Sequence, residues 1–572
     1  MNHSSNSVQL RGCQGIDLAP SEQKKGIVFM SSLKTSTFCV TIALVFLSIV
    51  CSLGQVFSPN LQVDEGLVSS QYAPKILYDD DGTLYVTWID TRDGDYNIYF
   101  SRSEDGGRTW LAPNVRISDT PIGTYGGLGP MTIDESGILF TAWTILNKYL
   151  RADKHILFAK SLDRGDTWTP DVQVDDGTSR SSKSSPAVCV GTNGHIYVVW
   201  EDYRPYDDSD IYFARSTDGG ETWTDPNIRV NDDPSSYQHC PSMVIDPWGD
   251  LYVAYDCQAD GDYSRIYLVK SSDGGETWSR PHIQVDDNRP GDHYLPELAV
   301  DQGGTIYASW SWRGGDHILF AKSSDGGETW SRPSIQVDYT PDNYFWNDFS
   351  SIAVDEAGNI YVSWDAYNHG DAEPDVFFGV STDGGYTWTN PSVRVNDVTY
   401  YAQDFSAIAA GDGQQAYIVW KDHRGGEDDA IDGIYFSRTV PVLAYEEADC
   451  DTVASGGNLG VTITLVNTTG VDQTADIWTG MMLLTGGMYR KGTMMYGPEA
   501  FSLTPYDTLF EHIDHEIPGD TPLGEYEYWI KVDEDLPIYD PPHRLDTDED
   551  RYYLFKDSFT FTVIESESVS LD

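Results

Sequence analysis

Three short phrases place a carboxylate two residues before a guanidinium at the end of an apolar run: Asp90 with Arg92, Asp202 with Arg204, and Asp422 with Arg424. Such a pair can hold an anionic group of a ligand through paired N–H donors, or it can close on itself and stiffen its loop. Aromatic residues gather in other loops: Tyr237 with His239, Tyr294, Tyr344 with Trp346, and Tyr400, with Arg313 between them in the chain. Rings that stack on the C–H faces of a sugar, beside charged groups that pair its hydroxyls, suit a carbohydrate. The plainer reading is a lid of rings over an internal channel. His239 stands alone beside Cys240 and reads as a hydrogen-bonded histidine rather than a catalytic one.

The elements that must position these residues are visible as a repeat. The eight-residue pattern Ser-x-Asp-x-Gly-x-Thr-Trp begins at Ser103, Ser161, Ser216, Ser271, Ser323 and Ser381, at intervals of 58, 55, 55, 52 and 58 residues. Self-similarity at this period marks an array of small β-units. Around each copy lie an apolar strand, a Gly-containing turn, a strand such as Leu84-Tyr85-Val86-Thr87-Trp88, a loop, and a strand such as Ile98-Tyr99-Phe100. A short strand follows the copy. Four antiparallel strands in this span make one propeller blade.

Counting the second strand gives seven units, ending at Trp88, Trp143, Trp200, Tyr255, Trp310, Trp364 and Trp420. The seventh lacks a fourth strand, but Pro59-Asn60-Leu61-Gln62-Val63-Asp64 reads almost as Pro333-Ser334-Ile335-Gln336-Val337-Asp338. A first strand that completes the last blade hides two sheet edges. The fold class expected is therefore all-β, a seven-bladed β-propeller closed by an N-terminal strand and followed by a β-sandwich. In such a blade the eight-residue turns share one face with the first hairpin turns. The paired acids and arginines and the aromatic loops then share the other, which is the candidate site.

Ninety acidic residues against 36 basic ones give a net charge of −54, which opposes binding to nucleic acid or anionic lipid. Acidic strings such as Asp79-Asp80-Asp81 and Asp546-Thr547-Asp548-Glu549-Asp550 read as solvated loops, with structural calcium as the alternative. No cofactor is required. Lys34 followed by an apolar run from Phe38 to Cys51 reads as a signal peptide, with no membrane span in the mature chain. Of the seven cysteines, Cys240 and Cys257 are expected as a disulfide, because a hairpin turning at 246–250 sets them nearly opposite. The domains expected are 1–54, an N-terminal extension and signal peptide; 55–440, the propeller; and 441–572, a sandwich.

The six copies resemble the Asp boxes of the sialidase superfamily, and Trp88-Ile-Asp90-Thr-Arg92 and Trp200-Glu-Asp202-Tyr-Arg204 resemble bacterial secreted BNR-repeat, exo-α-sialidase-like proteins. The resemblance covers residues 56–440. It implies a structural turn in which Asp105, Asp163, Asp218, Asp273, Asp325 and Asp383 accept backbone N–H groups. It also implies, for an enzyme of that superfamily, three arginines on a substrate carboxylate, a Tyr nucleophile activated by Glu, and an Asp acid–base. Arg92, Arg204 and Arg424 are the candidates for that triad. The superfamily's early Arg-Ile-Pro signature is absent, the corresponding strand reading Pro74-Lys75-Ile76-Leu77, and sialidases have six blades. The reading preferred is a secreted binder of glycans, glycoconjugates or extracellular proteins without catalysis; the alternative is an exo-α-sialidase or related glycoside hydrolase. Residues after 440 resemble an immunoglobulin-like module.

Overall fold

The structure, a computed structural model, describes residues 56–440 except 59, 67–68, 120–126, 147–153, 178–180, 205–207, 233–235, 259–261, 341–343, 369–372, 399–400 and 425–431. Beyond 440 it describes strand backbones. Seven sheets follow one another along the chain. In blade I, Gln71–Tyr78, Leu84–Asp90, Asn97–Ser103 and Val115–Arg116 pair antiparallel in chain order. Blades II to VII repeat this order from first strands that begin at Leu128, Ser182, Tyr237, His293, Tyr344 and Gln403. First strands of neighbouring blades lie side by side and so surround the axis.

Closure occurs as the sequence predicts. Leu61 pairs with Phe436 and Gln62 with Tyr435, the register that Ile335 and Gln336 hold against Phe320 and Leu319 in blade V. Val56–Phe57 adds a further pair on the same edge. The second-strand Trp of six blades, and Tyr255 in the fourth, are fully buried. They form the packed layer between sheets that holds the ring as one body.

Each Asp box is a turn between third and fourth strands. In the first, the Ser103 hydroxyl donates to Asp105 Oδ1 (2.6 Å) and accepts from Gly107 N–H (2.8 Å), while Thr109 donates its N–H (2.9 Å) and hydroxyl (2.6 Å) to the same carboxylate. Equivalent bonds to the box aspartate recur at Asp163, Asp218, Asp273, Asp325 and Asp383. Donation by Thr222 and Thr277 holds Asp218 and Asp273 at about 2, well below the usual carboxylate range. The box Trp packs outward from its own blade: Trp110 meets Phe436, Trp168 meets Phe100 and Trp223 meets Phe158, each edge-on to the third strand of the preceding blade. The boxes are thus staples between blades.

A second repeated pin was not read from the sequence. The residue two after the fourth strand accepts an N–H near the start of the third: Asp64 from Ile434 (2.9 Å), Asp175 from Ile156 (2.9 Å), Asn231 from Ile211 (2.9 Å), Asp338 from Ile318 (2.9 Å). These side chains are buried. A buried acceptor with a backbone donor meets the requirement that buried polar groups be paired.

No disulfide joins Cys240 and Cys257, which corrects the expectation. The residue opposite Cys257 is Gln238, and Cys240 falls within a strand irregularity between His239 and Ser242. Cys257 Sγ instead lies 3.4 Å from Ser236 Oγ. After residue 440 the strands form two sheets, one of Val442–Ala448, Asn458–Asn467 and Thr508–Glu516, the other of six strands centred on Gln473–Thr485 and Gly524–Asp533. Asp546, Asp548 and Asp550 lie outside the described residues. Among those described, no three His, Cys, Asp or Glu side chains converge as a metal site would.

Candidate site at the mouth of the channel

Every first strand is interrupted near its start. The break falls after Tyr72, Leu128, Ser184, His239, Tyr294, Asp348 and Asp404 in the seven blades. The next residue takes positive φ in six of them, at Ala73, Ser185, Cys240, Leu295, Phe349 and Phe405. In blade II it is Gly129, where a Cβ would sit 2.6 Å from the Pro186 carbonyl oxygen. Bulges of this kind re-aim a side chain and end regular pairing. They create seven equivalent positions around the axis, on the face opposite the Asp boxes. Elsewhere equivalent positions of the repeat hold nearly the same residue; here they hold Tyr, Leu, Ser, His, Tyr, Asp and Asp.

Side chains of the preceding blade's second strand reach these bulges. Asp365 accepts from Phe405 N–H (2.7 Å) and Ser406 N–H (3.2 Å), and Ser311 donates to Asp348 Oδ1 (2.7 Å). Glu201 Oε1 lies 3.0 Å from His239 Nδ1, and His239 stacks on Tyr237 at 6.2 Å. The bond to Glu201 raises the His239 pKa. Burial raises those of Asp348, Asp365, Asp404 and Glu297, against the Lys75 charge and the Ser242 hydroxyl in the last case.

Asp256 shows the effect most clearly. Burial pushes it up to about 7, opposed by the His239 charge and the Leu295 N–H. Its folded pKa therefore exceeds the unfolded value of about 3.9, and the folded chain holds the proton across that interval. Stability from this group is present below about pH 4 and is lost as pH rises through about 7. The melting temperature of Asp256→Asn relative to the unchanged protein is expected to be higher at pH 8 than at pH 5. An offset independent of pH, read by calorimetry, would contradict this.

The aromatic candidates separate into two groups. Between blades V and VI, Arg313 donates through Nε to the Tyr294 hydroxyl (2.9 Å), and its guanidinium carbon lies 4.5 Å from the Tyr294 ring centre and 5.3 Å from that of Trp346. Trp346 packs at 5.6 Å on Tyr367, and Tyr294 donates to Asp348 Oδ2 (3.3 Å). Arg313 is exposed and makes no ion pair with a described residue. Tyr237 and His239 stand apart from this shelf, over blade IV. The side chain of Tyr344 and the whole of Tyr400 lie outside the described residues. Asp348, Tyr367, Asp404 and Glu297 were not among the residues singled out from sequence, although the phrase x-x-Pro at Tyr72, Leu128, Ser184, His239 and Tyr294 marks the bulge register.

The three arginines do not converge. Arg92 pairs with Asp90 (2.6 Å) and Glu65 (2.8 Å) and lies 4.2 Å over Tyr99. Arg204 pairs with Asp202 (3.0 Å) and Asp176 (3.2 Å) and lies 3.8 Å over Tyr212. Arg424 pairs with Asp422 (2.7 Å) and Asp397 (2.8 Å) and lies 4.1 Å over Tyr435. Each covered ring is on the third strand, so the guanidinium groups lock the outer part of blades I, III and VII. Asp90, Asp202 and Asp422 are fully buried in these pairs.

The sequence matches the BNR repeat-like domain over residues 137–351 and again over 194–425, together just over half of the chain. The chain belongs to the BNR repeat-like domain family. It is 25% identical over 368 residues to a xyloglucanase of Paenibacillus sp., an alignment covering 56% of this chain and 32% of that enzyme. It spans under half the length of each xyloglucanase it matches, 32%, 24% and 41%. Among solved structures it is similar to a Hadza microbial sialidase, at 16% identity, 62% of this chain, 76% of the other and a TM-score of 0.40. It is also similar to an α-L-arabinofuranosidase of Fusarium graminearum, at 15% identity, 68% of this chain, 98% of the other and a TM-score of 0.43. This BNR propeller is thus related to glycoside hydrolases of the xyloglucanase type. Among the described residues no helix is long and apolar enough to cross a membrane.

Proposed function

We propose that the protein is a secreted glycan-binding propeller whose ligand sits at the channel mouth, on the shelf formed by Tyr294, Arg313 and Trp346. The observation that carries this reading is the arrangement at blades V and VI. An exposed guanidinium without an ion-pair partner among the described residues lies over two aromatic rings supplied by adjacent blades, with Asp348 hydrogen-bonded beneath. Rings give stacking area, the guanidinium donates to hydroxyls, and the carboxyl accepts. His239 and Tyr237 offer a second contact region on blade IV, and the sheets after residue 440 serve as a spacer or attachment module.

The experiment is a glycan array followed by calorimetric titration of the best oligosaccharide. Trp346→Ala is expected to weaken binding at least tenfold, about 1.4 kcal/mol, with the melting temperature little changed. A variant with unaltered affinity would remove the shelf from the site. Hydrolysis is the second reading, favoured by Asp256, whose pKa near 7 is that of a general acid at neutral pH. Turnover of fluorogenic glycosides that is lost in Asp256→Asn would put that reading first.

A further inference from the structure

We propose that the mouth takes an uncharged glycan and rejects sialylated or uronic-acid sugars. This deepens the reading above and rests on it. The reason is how the charges on this face of the ring are already spent. A carboxylate clamp needs guanidinium groups with open donor edges. Arg92, Arg204 and Arg424 each face two carboxylates at 3.2 Å or closer and stack on a tyrosine. Drawing Arg92 or Arg424 toward a sugar acid would leave Asp90 or Asp422 buried without its guanidinium, a change that is strongly destabilising, and drawing Arg204 would leave Asp202 to Lys183 alone.

The groups around the shelf and His239 point the same way. Arg313, the exposed cation of the shelf, is a single guanidinium rather than a cluster, donates its Nε to the Tyr294 hydroxyl and has its charge offset by Asp348 and Asp292 nearby. Glu201, from blade III, stands beside His239, Asp256 lies opposite His239 within blade IV, and Glu297 stands beside Ser242. Burial holds Asp256, Glu297 and Asp348 above the ordinary carboxylate range, so further negative charge brought beside these acids is disfavoured. An anionic sugar would add to that cost. A neutral sugar meets rings, a guanidinium and carboxyl acceptors, and costs no charge burial.

The test titrates the full chain with matched probes at low and physiological salt: lactose against sialyllactose, and a xyloglucan heptasaccharide and cellotetraose against tetragalacturonate. The expected result is that each neutral probe that binds does so at least tenfold more tightly than its acidic counterpart, and that Trp346→Ala removes the neutral binding. Tighter binding of an acidic probe, or sialyllactose binding lost in Arg204→Ala, overturns the inference while leaving a glycan site in place. Absence of binding by every probe overturns the glycan reading itself, and this inference with it.

Discussion

A chain that begins at residue 67 is expected to melt on the order of 10 °C below one that begins at residue 55, and to self-associate. Removing 55–66 strips the fourth strand from blade VII. Leu61 pairs with Phe436, and Val63 is 2% exposed in the cluster that also holds Trp88, Val419 and Phe436. Burial of two such side chains contributes about 1.5–3 kcal/mol each. Two backbone bonds and one to a side chain go with them: Ser58 N–H to Arg438 O (2.8 Å), Val63 N–H to Ile434 O (2.8 Å), and Ile434 N–H to Asp64 Oδ1 (2.9 Å). The larger consequence is topological. Blade VII would keep its first three strands but present the third, Gly433–Val440, as an open edge, and the packing that makes a ring of separate sheets would end there. Calorimetry and size-exclusion chromatography check this; a shift of only a degree or two in a monomeric product would show that the ring closes without the strand.

That closure was legible because the repeat is a strong signal. Leu61-Gln62-Val63-Asp64 could be aligned with Ile335-Gln336-Val337-Asp338 by eye, and a fourth strand missing at one end and present at the other has one solution. The Asp boxes were legible for the same reason. The site was not, because what makes it a site is departure from the repeat. Asp348 and Asp404 occupy the bulge position without the following Pro that marks it in five other blades, so they read as ordinary strand residues. Tyr367 sits on a second strand and meets Trp346 only through a register that the bulge sets. The arginines were misleading in the opposite sense: their type and spacing allow either a ligand clamp or a local lock. Only Tyr99, Tyr212 and Tyr435, on a strand later in the chain, decide for the lock.

Replacing one fixed glycine of an Asp box by alanine is expected to cost about 2–4 kcal/mol and to leave ligand affinity untouched. At Gly165, φ is +95° and a Cβ would lie 2.1 Å from Phe100 Cε1 of the preceding blade. Two penalties therefore act, one for a side chain at positive φ and one for displacing a packed ring. They can be told apart within the same box. The preceding residue, Arg164, also has positive φ, at +57°, and is not glycine. Backbone conformation alone therefore does not dictate glycine in this turn, and the ring beneath Gly165 does. Gly194 gives the control, with φ +75° and nothing within 4 Å of an added Cβ. Gly194→Ala should cost only the backbone part, about 1 kcal/mol. Denaturant unfolding of both variants, with titration of whichever neutral oligosaccharide binds, tests the whole arrangement. Equal costs for the two substitutions would mean that the box does not staple its neighbour. A loss of affinity in Gly165→Ala at temperatures where it remains folded would tie the two faces of the propeller together, where the geometry keeps the staple on one face and the ligand shelf on the other.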